Sequence, residues 1–439
     1  MRLQLATDGY LQDVPYPPQF HREMMPAWLD AVTRGLGEAG PNLSQPFRWC
    51  ELGCGAGLNA LVTAAVHPLA EVVAIDADAT QITRLQRDAE TIGLGNLQAI
   101  HADFVSIAEE HVGKPFDVIV MHGVLSWISP AARQAVLRFI ARRLRPGGLV
   151  YAHYMTHPGL SAAAAAQRLV RQAATQVADS SIEGAQSGLA LLSQMEKAGA
   201  GLFVAAPQER QRLAAARGQS PASLAHELLP THWEPFHVSD MIEAFQAVGC
   251  RYIGSATPID NIDAVSLPAA IHSLMSQARG AAMAETMRDI ARNQSYRRDL
   301  YRMGGKPLSS PAHLSALAAQ VIAALPGAPN GGGLTFQTPI GPVEGEAALF
   351  GPLLKALANS PQNLASLVQA TAVPMHPALL NQATQMLIWA QLAHPVLTNP
   401  PPVKDIAALN CLLAAYDAKY FVVPALGTAL PSSNAESSL

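Results

Sequence analysis

The feature that most constrains the fold is an alternation, beginning at Phe47, of short β-branched runs with helical stretches of about a dozen residues. This alternation is typical of a parallel sheet that carries helices on both faces and has right-handed crossovers. The carboxyl ends of the strands then lie at one rim, where such sheets bind their ligands. Strands are predicted at Trp49–Leu52, Glu71–Asp76, Leu97–Ala102, Asp117–Met121 and Leu149–Tyr154, and Tyr252–Ile253 is predicted to resume the sheet.

A chain of 439 residues is too long for one ordinary core, so several domains are expected. The predicted divisions are an α/β domain over 1–258 with an Ala-rich helical insertion over about 161–230, a helical middle region over 259–330, and a smaller α+β domain over 331–439. The low-charge linker 326–333 indicates the last boundary. Beyond it, Thr335 to Glu346 is predicted to form a hairpin centred on Gly341-Pro342, and the Ser-rich C-terminal end is expected to be frayed.

Composition excludes several classes of partner. The formal net charge of −4 leaves no basic field of the kind that nucleic-acid binding requires. The four cysteines have no paired spacing and the first residues lack a secretory signal, so we expect a cytoplasmic protein. No formally charged residue occurs between Lys355 and Lys404, but prolines and amides interrupt that stretch, which favours buried helices over a membrane span.

The strongest local motif is Glu51-Leu-Gly-Cys-Gly-Ala-Gly57, which stands where a strand ends and a helix begins. Glycine there lets the backbone turn sharply and approach a ligand without a Cβ in the way. The GxGxG spacing lacks the third glycine of the dinucleotide fingerprint. Glu51 would repel a pyrophosphate but complement a cationic ligand. The alternative is a tight strand-to-helix turn that binds nothing.

Two more acidic residues end the second and third strands. Asp76 follows the glycines by about twenty residues, the spacing expected of a carboxylate that binds ribose hydroxyls. Nicotinamide and S-adenosylmethionine enzymes share this feature, so it indicates an adenosine and no more. Asp103 is predicted to accept the amino group of adenine while Phe104 packs against the purine. The alternative role for Asp103 is that of a helix N-cap.

At these residues the sequence resembles the class I S-adenosylmethionine-dependent methyltransferases, which carry an E/DxGxGxG loop and acidic ribose and adenine contacts on three successive strand ends. Other segments resemble the bacterial methyltransferases with an attached methyltransferase regulatory domain, the group that contains the rickettsial protein lysine methyltransferases. Those segments are Asp13–Pro17, Met121–Ile128, Arg145–Gly148, His226–Leu229, Phe236 and Tyr252–Gly254. The resemblance implies a Rossmann-like catalytic domain with a helical insertion, followed by helical and winged-helix-like α+β C-terminal domains.

The resemblance also implies that the cofactor is S-adenosyl-L-methionine. In the group that it resembles, the segment containing Tyr16 folds over the cofactor, so Tyr16 is predicted to be a lid contact. The predicted cofactor site comprises Tyr16, Glu51, Gly53, Cys54, Gly55, Gly57, Asn59, Asp76, Ala77, Gln81, Asp103, Phe104, His122 and Gly123.

Methyl transfer is an in-line displacement, so the enzyme must mainly align a nucleophile and disfavour water. His122 is a candidate general base or positioning group, and the alternative is a histidine that hydrogen-bonds loop backbone. Trp127 is predicted to wall the acceptor pocket, or else to pack as an ordinary aromatic at a helix start. Tyr154 completes the predicted catalytic set. No metal is expected, because the histidines lack ligand spacing with paired cysteines or carboxylates.

Three functions stay open at this point. They are a methyltransferase acting on a protein side chain such as lysine, a methyltransferase acting on a small molecule, and a cofactor-binding regulator without catalysis. Accessory domains of this size favour a macromolecular acceptor by analogy of fold. A homodimer is compatible with the sequence. A nicotinamide dehydrogenase is disfavoured by Glu51 and by the glycine spacing.

Overall fold

The computed structural model describes residues 9–11, 13–14, 16–110, 112–177, 180–370, 376–398, 403 and 406–432. The C-terminal end that was expected to be frayed is 431–439. Pro431 ends a strand, and residues 433–439 lie outside the described residues. The central sheet is built from β1 (Phe47–Leu52), β2 (Ala70–Asp76), β3 (Leu97–His101), β4 (Phe116–Met121), β5 (Leu144–Met155), β6 (Cys250–Ser255) and β7 (Tyr296–Met303).

The seven strands follow the order β3-β2-β1-β4-β5-β7-β6. Strands β1 to β5 run parallel to one another, as the alternation predicts. All six residues of β1 are buried, because helices cover both faces of the sheet. The predicted α/β, Rossmann-like fold is confirmed.

Strand β7 lies in a region where the sequence predicted only helices. It runs antiparallel between β5 and β6, and four of its eight residues are charged, which conceals it from an apolar pattern. The charges are tolerated because they pair. The Arg297 guanidinium donates to Asp299 at 3.0 Å and to Glu285 at 2.7 Å, all three residues being buried. The predicted boundary after residue 258 therefore does not coincide with the end of the sheet.

Helices flank the sheet and form the insertion between β5 and β6. Their bounds are α1 (Pro26–Gly35), α2 (Leu58–Val66), α3 (Ala79–Ile92), α4 (Phe104–Ile107), α5 (Pro130–Arg143), α6 (Ala163–Val177), α7 (Ser181–Lys197), α8 (Gly201–Ala205), α9 (Gln208–Ala216), α10 (Pro221–Leu228), α11 (Val238–Ala247), α12 (Asp263–Ser266), α13 (Ala269–Met275) and α14 (Ala281–Arg292). Local chemistry sets these bounds. For example, the Asp78 carboxylate accepts the Thr80 N–H at 2.8 Å at the start of α3, and Gly93 ends that helix with φ +76°.

The C-terminal region combines short strands with helices. These are α15 (Ser310–Ala318), β8 (Val321–Ala324), β9 (Leu334–Thr338), β10 (Gly341–Gly345), α16 (Ala347–Asn359), β11 (Gln362–Asn363), α17 (Leu364–Ala370), α18 (Pro377–Trp389), β12 (Ala393–Pro395), α19 (Ile406–Ala415), β13 (Tyr420–Val423) and β14 (Thr428–Pro431). Single 3-10 turns occur at Arg22–Met24, Pro258–Asn261 and Pro424–Leu426.

The hairpin predicted in this region is present as β9 and β10. Thr338 pairs with Gly341, so the chain turns at Pro339-Ile340 rather than at Gly341-Pro342. Strand β8 pairs with β11 and β12. Strand β8 lies before the predicted boundary at residue 330, whereas β11 and β12 lie after it, so strand pairing crosses that boundary. The linker 326–333 joins β8 to β9.

Two apolar clusters form the main core. One runs from Phe20 to Ala429 and joins one face of the sheet to the C-terminal region. The other lies on the opposite face and includes Tyr154 and Phe245. Within the described ranges, no helix is both long and apolar enough to cross a bilayer.

Candidate active site

Three glycines with positive φ shape the turn between β1 and α2. Gly53, Gly55 and Gly57 have φ values of +70°, +50° and +72°. A Cβ at Gly53 would lie 2.5 Å from Cγ2 of Val124. One at Gly57 would lie 2.6 Å from Cδ1 of Leu85. Both backbone conformation and space therefore require glycine at the two ends of the loop.

Glu51 lies just before this loop and is buried. Its Oε2 has no hydrogen-bond partner among the described residues. Burial, and then the negative charge of Asp76, raise the pKa of Glu51 well above its ordinary value. An unpartnered carboxyl oxygen beside a second carboxyl group is an arrangement that a cationic ligand group would complete.

Asp76 ties the end of β2 to the glycine loop. The Gly55 N–H donates to its Oδ2 at 2.7 Å, and the Asp78 N–H donates to its Oδ1 at 2.9 Å. Each oxygen keeps a lone pair for a ligand hydroxyl. Burial raises the pKa of Asp76. Ala77 follows directly, and Gln81 of α3 is buried with an Oε1 that has no partner in the part of the chain that the structure describes.

Asp103 takes the capping role that the sequence left open. It is exposed, and its Oδ1 accepts the N–H groups of Val105 and Ser106, both at 2.8 Å, at the start of α4. Phe104 lies beside the cofactor loop, because its Cζ is 3.7 Å from the position of a Cβ at Gly53. A contact of either residue with adenine stays a prediction.

Asn59 was predicted to contact the cofactor, but its amide is used elsewhere. Its Oδ1 accepts the His21 N–H at 2.9 Å, and its Nδ2 donates to the His21 carbonyl at 2.7 Å. Asn59 therefore fixes the N-terminal segment on α2 rather than facing a ligand. Cys54 is buried in the glycine loop, and burial raises the pKa of its thiol well above the ordinary value.

His122 follows β4 and lies in a stack of three imidazole rings. Its ring centroid is 3.4 Å from that of His21 and 3.8 Å from that of His153. Its Nδ1 lies 2.9 Å from the hydroxyl oxygen of Tyr151, and the Gly123 N–H donates to Nδ1 of His153 at 3.1 Å.

The described residues include no cluster of three or more His, Cys, Asp or Glu side chains that could hold a metal ion.

Burial lowers the pKa of each ring in this stack, that of His21 to about 4 and those of His122 and His153 well below the ordinary value. A histidine that stays neutral this far below its usual range is a weak proton acceptor. His122 is thus better suited to position a group than to act as the general base.

Beyond His122 the rim opens into a cavity of about 810 Å³ between the sheet and the helical insertion. Trp127 and Tyr16 line this cavity, as do Gly123, His153 and Arg298. Tyr16 also reaches the cofactor loop, because its Cδ1 lies 3.4 Å from the position of a Cβ at Gly55. Tyr16 is therefore shared between the cavity wall and the glycine loop. Pro15, which precedes Tyr16 in the segment predicted to fold over the cofactor, lies outside the described residues.

Tyr154 does not face the cavity, and its prediction as a pocket residue is wrong. Side chains alternate along β5, so Tyr151 and His153 point to one face and Tyr154 to the other. Tyr154 is fully buried in the second apolar cluster, and its hydroxyl donates to Asp299. Tyr151 takes its place beside His122.

The cavity lining includes residues that were not predicted, among them Tyr10, Glu227 and Tyr296. Tyr296 belongs to the unpredicted strand β7, so no sequence argument reached it. Glu227 offered a signal, since it is an acidic residue next to the buried positions Leu224–His226 of α10, where an unpaired charge is costly.

Comparison with known proteins places the chain in a family. A methyltransferase domain model matches residues 50–148, and a predicted methyltransferase regulatory domain model matches 220–302. The uncharacterized protein sll1526 of Synechocystis sp. is 31% identical over 360 residues, which cover 82% of this chain and 71% of that protein.

Solved structures show the same fold. The structure of PKMT2 from Rickettsia typhi has a TM-score of 0.71 at 18% identity, and the superposition covers 95% of this chain and 87% of the PKMT2 chain. The PKMT2 structure in complex with AdoHcy has a TM-score of 0.68 at 19% identity, with coverage of 88% and 78%.

A glycine loop and acidic strand ends on a sheet of this topology define a class I S-adenosylmethionine-dependent methyltransferase. With both domain models matched and a long relative aligned over most of its length, the chain belongs to the methyltransferases that carry a methyltransferase regulatory domain. Its cofactor is S-adenosylmethionine. The residues present fit that molecule, since Glu51 and Gln81 offer unpartnered oxygens beside a loop that tolerates no larger side chains at Gly53 and Gly57.

Proposed function

We propose that this methyltransferase acts on an amine nitrogen, and that its acceptor is a lysine side chain of a protein. The observation that carries the proposal is the cavity beyond His122, which shares Tyr16 with the glycine loop and is walled by aromatic rings. Its rings are those of Tyr10, Tyr16, Trp127, Trp233 and Tyr296. Aromatic faces attract cations such as an alkylammonium, and a wall of them also excludes water.

Cofactor binding is assigned to the residues around the glycine loop. When bound, S-adenosylmethionine supplies an electrophilic methyl group on a sulfonium sulfur. Glu51 would complement the cationic amino end of the cofactor, and Asp76 would accept hydrogen bonds from the ribose. Phe104 would pack against the adenine, and Tyr16 would close over the loop from the N-terminal segment.

The histidine stack gives the rim a neutral, rigid surface. Asn59 holds His21, which stacks on His122, and Tyr151 lies within hydrogen-bond distance of the His122 ring. We assign His122 and Trp127 to positioning the acceptor. A fixed reacting geometry accounts for a large part of the rate acceleration in displacement reactions of this kind.

A protein acceptor is supported by the resemblance of the sequence to the rickettsial protein lysine methyltransferases and by the size of the accessory regions. The test is transfer of a radiolabelled methyl group from S-adenosylmethionine to lysate proteins and, separately, to a small-molecule fraction. Mass spectrometry of the labelled product then identifies the methylated atom. Asp76→Ala, expected to bind cofactor poorly, serves as the inactive control.

Label on lysine nitrogen in protein is the expected result. Label confined to the small-molecule fraction would overturn the protein acceptor while leaving an amine open. Label on oxygen or carbon alone would overturn the amine proposal itself.

A further inference from the structure

Two carboxylates, Glu209 and Glu227, line the cavity, and the functions assigned so far use neither. Glu227 lies on α10 of the helical insertion and lines the cavity together with the aromatic rings. Its side chain is partly exposed, on the wall of the cavity. The hydroxyl of Tyr296, on β7, donates to its Oε1 at 3.4 Å. Insertion and sheet thus meet at this carboxylate.

Two cations, Arg212 and Arg298, line the same cavity as Glu227, and neither forms an ion pair with it within the described part of the chain. Arg212, on α9, is the cation that acts on it electrostatically. However, that guanidinium forms an ion pair with Glu209 at 3.2 Å and donates to the Gly159 carbonyl at 2.7 Å and to the Ser295 hydroxyl at 2.8 Å. Arg212 therefore divides its interactions between Glu227 and these three partners.

Aromatic groups also face Glu227. Tyr10 and Tyr16 approach it from the N-terminal segment, and its charge acts on both phenols. His226, its neighbour on α10, has its Nε2 2.8 Å from the Val14 carbonyl and its ring edge-on to Tyr16, with centroids 5.1 Å apart. A carboxylate among ring faces has the composition that recognises an ammonium group, because both components attract positive charge.

We propose that Glu227 is the ammonium-binding carboxylate of the acceptor subsite and the group that takes the proton from the acceptor nitrogen. This inference rests on the proposed amine acceptor. It names the substrate class of the cavity as a primary or secondary alkylammonium, of which a lysine side chain is one example. It also gives the helical insertion a part in the chemistry, since α10 brings the carboxylate to a cavity that shares Tyr16 with the glycine loop.

Methyl transfer to an ammonium nitrogen requires that the nitrogen first lose a proton. An alkylammonium has no lone pair, so one N–H proton first passes to the Glu227 carboxylate. The freed lone pair forms the new nitrogen–carbon bond to the methyl group, while the carbon–sulfur bond breaks and its electron pair stays on sulfur. The product is a methylated ammonium ion, and the proton on Glu227 returns to solvent before the next turnover.

Burial raises the pKa of Glu227 to about 7. A carboxyl group with that pKa is ionised above pH 7 and protonated below it. Ammonium binding and proton acceptance are therefore both expected to increase as pH rises through about 7.

The first test measures binding of n-butylamine, an analogue of the lysine side chain, to the full chain loaded with S-adenosylhomocysteine. Neutral n-butanol is the comparison ligand, and calorimetry is done at pH 8 and at pH 5.5. Wild type is expected to prefer butylamine at pH 8 and to lose most of the preference at pH 5.5. Glu227→Gln is expected to weaken butylamine binding at least tenfold while binding of butanol changes less than twofold.

Glu183→Gln is the matched control, because it makes the same charge change at an exposed carboxylate of α7, another helix of the insertion. It is expected to keep the preference for butylamine. Absence of butylamine binding in wild type, equal affinity for the two ligands, or an unchanged preference in Glu227→Gln would each overturn the proposal.

The second test uses the acceptor found in the labelling experiment. The kcat/KM of wild type is expected to rise with an inflection near pH 7. Glu227→Gln should lose that inflection and recover activity only at more alkaline pH, where the free amine forms without a base. Affinity for S-adenosylhomocysteine, measured separately, should stay within twofold of wild type and shows that the variant is folded.

The two proposals fail in different ways. Methylated amine in the products together with a wild-type pH profile in Glu227→Gln would overturn the role of Glu227 and leave the proposed function intact. Label found only on oxygen or carbon would overturn the proposed function.

Discussion

Glu51 and Asp76 both face the glycine loop, yet their carboxyl groups are held differently. Backbone N–H groups of Gly55 and Asp78 donate to Asp76 and offset part of the effect of burial on its pKa. Glu51 keeps an oxygen without a partner among the described residues, and the charge of Asp76 adds to the effect of burial on it. A cationic ligand group is therefore most favourable at Glu51, whereas Asp76 is preorganised for neutral hydroxyls.

Asp76→Ala is expected to weaken binding of S-adenosylhomocysteine at least tenfold. Two ribose hydrogen bonds to a charged acceptor would be lost, each contributing about 1.5 to 3 kcal/mol. Isothermal titration calorimetry measures the effect. Asp78→Ala is the control, because that residue caps α3 and has no predicted ligand. Wild-type affinity in a folded Asp76→Ala variant would show that the ribose lies elsewhere.

Gly57→Ala is expected to cost more stability than Gly93→Ala. Both glycines have similar φ values, +72° and +76°, so alanine is strained by about 1 to 2 kcal/mol at either position. Only at Gly57 does the new methyl group meet a neighbour, at 2.6 Å from Leu85, whereas nothing lies within 4 Å at Gly93. Urea unfolding should show an extra loss of about 1 to 3 kcal/mol for Gly57→Ala. Equal losses of unfolding free energy in the two variants would show that the Leu85 side chain moves away from the new methyl group at little cost.

Strand β5 presents different chemistry on its two faces. On the cavity face His153 is one ring of the histidine stack, and the Tyr151 hydroxyl lies within hydrogen-bond distance of His122. On the other face Tyr154 joins a buried network in which Asp299 also accepts from Arg297 at 3.0 Å. The charges of β7 are thus stabilised by donors from its neighbours, and Tyr154 belongs to the packing of the sheet.

Tyr154→Phe is therefore expected to lower the free energy of unfolding by about 1.5 to 3 kcal/mol, because one hydrogen bond to a buried charged group is lost. Affinity for S-adenosylhomocysteine should not change. Tyr151→Phe, three residues earlier on the same strand, removes the hydroxyl beside His122 and is the control for the cavity face. Urea titration and calorimetry measure the two quantities. A Tyr154→Phe variant with wild-type stability and reduced turnover would return this residue to the active site.

Elements with a plain apolar period were predictable from the sequence, and elements stabilised by buried charge were not. Strands β1 to β5 matched their predictions within a few residues because helices bury both faces of a parallel sheet. Strand β7, with Arg297, Arg298, Asp299 and Arg302, has no such period.

For the site, the glycine turn was visible because backbone geometry demands specific residues there. Which side of β5 a tyrosine faces depends on register, and a shift by one residue moves every side chain to the other face. That dependence accounts for the selection of Tyr154 in place of Tyr151. The partners of Glu227 come from segments distant in sequence, so only the assembled fold identifies them.

At the scale of the whole molecule, the C-terminal region shares a hydrophobic core with the methyltransferase sheet. One apolar cluster contains residues of both, from Phe20 to Ala429. The ring of Phe20 lies 5.2 Å from that of Tyr420, and Arg22 donates to the Trp389 carbonyl at 3.2 Å. Helix α19 contacts α2, which begins directly after the glycine loop. Loss of packing at the C-terminal end should therefore reach the cofactor site.

Leu409→Ala tests this coupling. Leu409 is fully buried in α19, and such a truncation typically costs about 2 to 5 kcal/mol through lost burial and the cavity left behind. If the two regions unfold as one unit, hydrogen exchange should speed up equally in α2 and in β14, and S-adenosylhomocysteine should slow it in both. Leu379→Ala is the control, since that side chain is 46% exposed and its loss should change stability by about 0.5 kcal/mol or less. Faster exchange confined to residues beyond the linker 326–333 would show instead that the C-terminal region opens independently of the catalytic half.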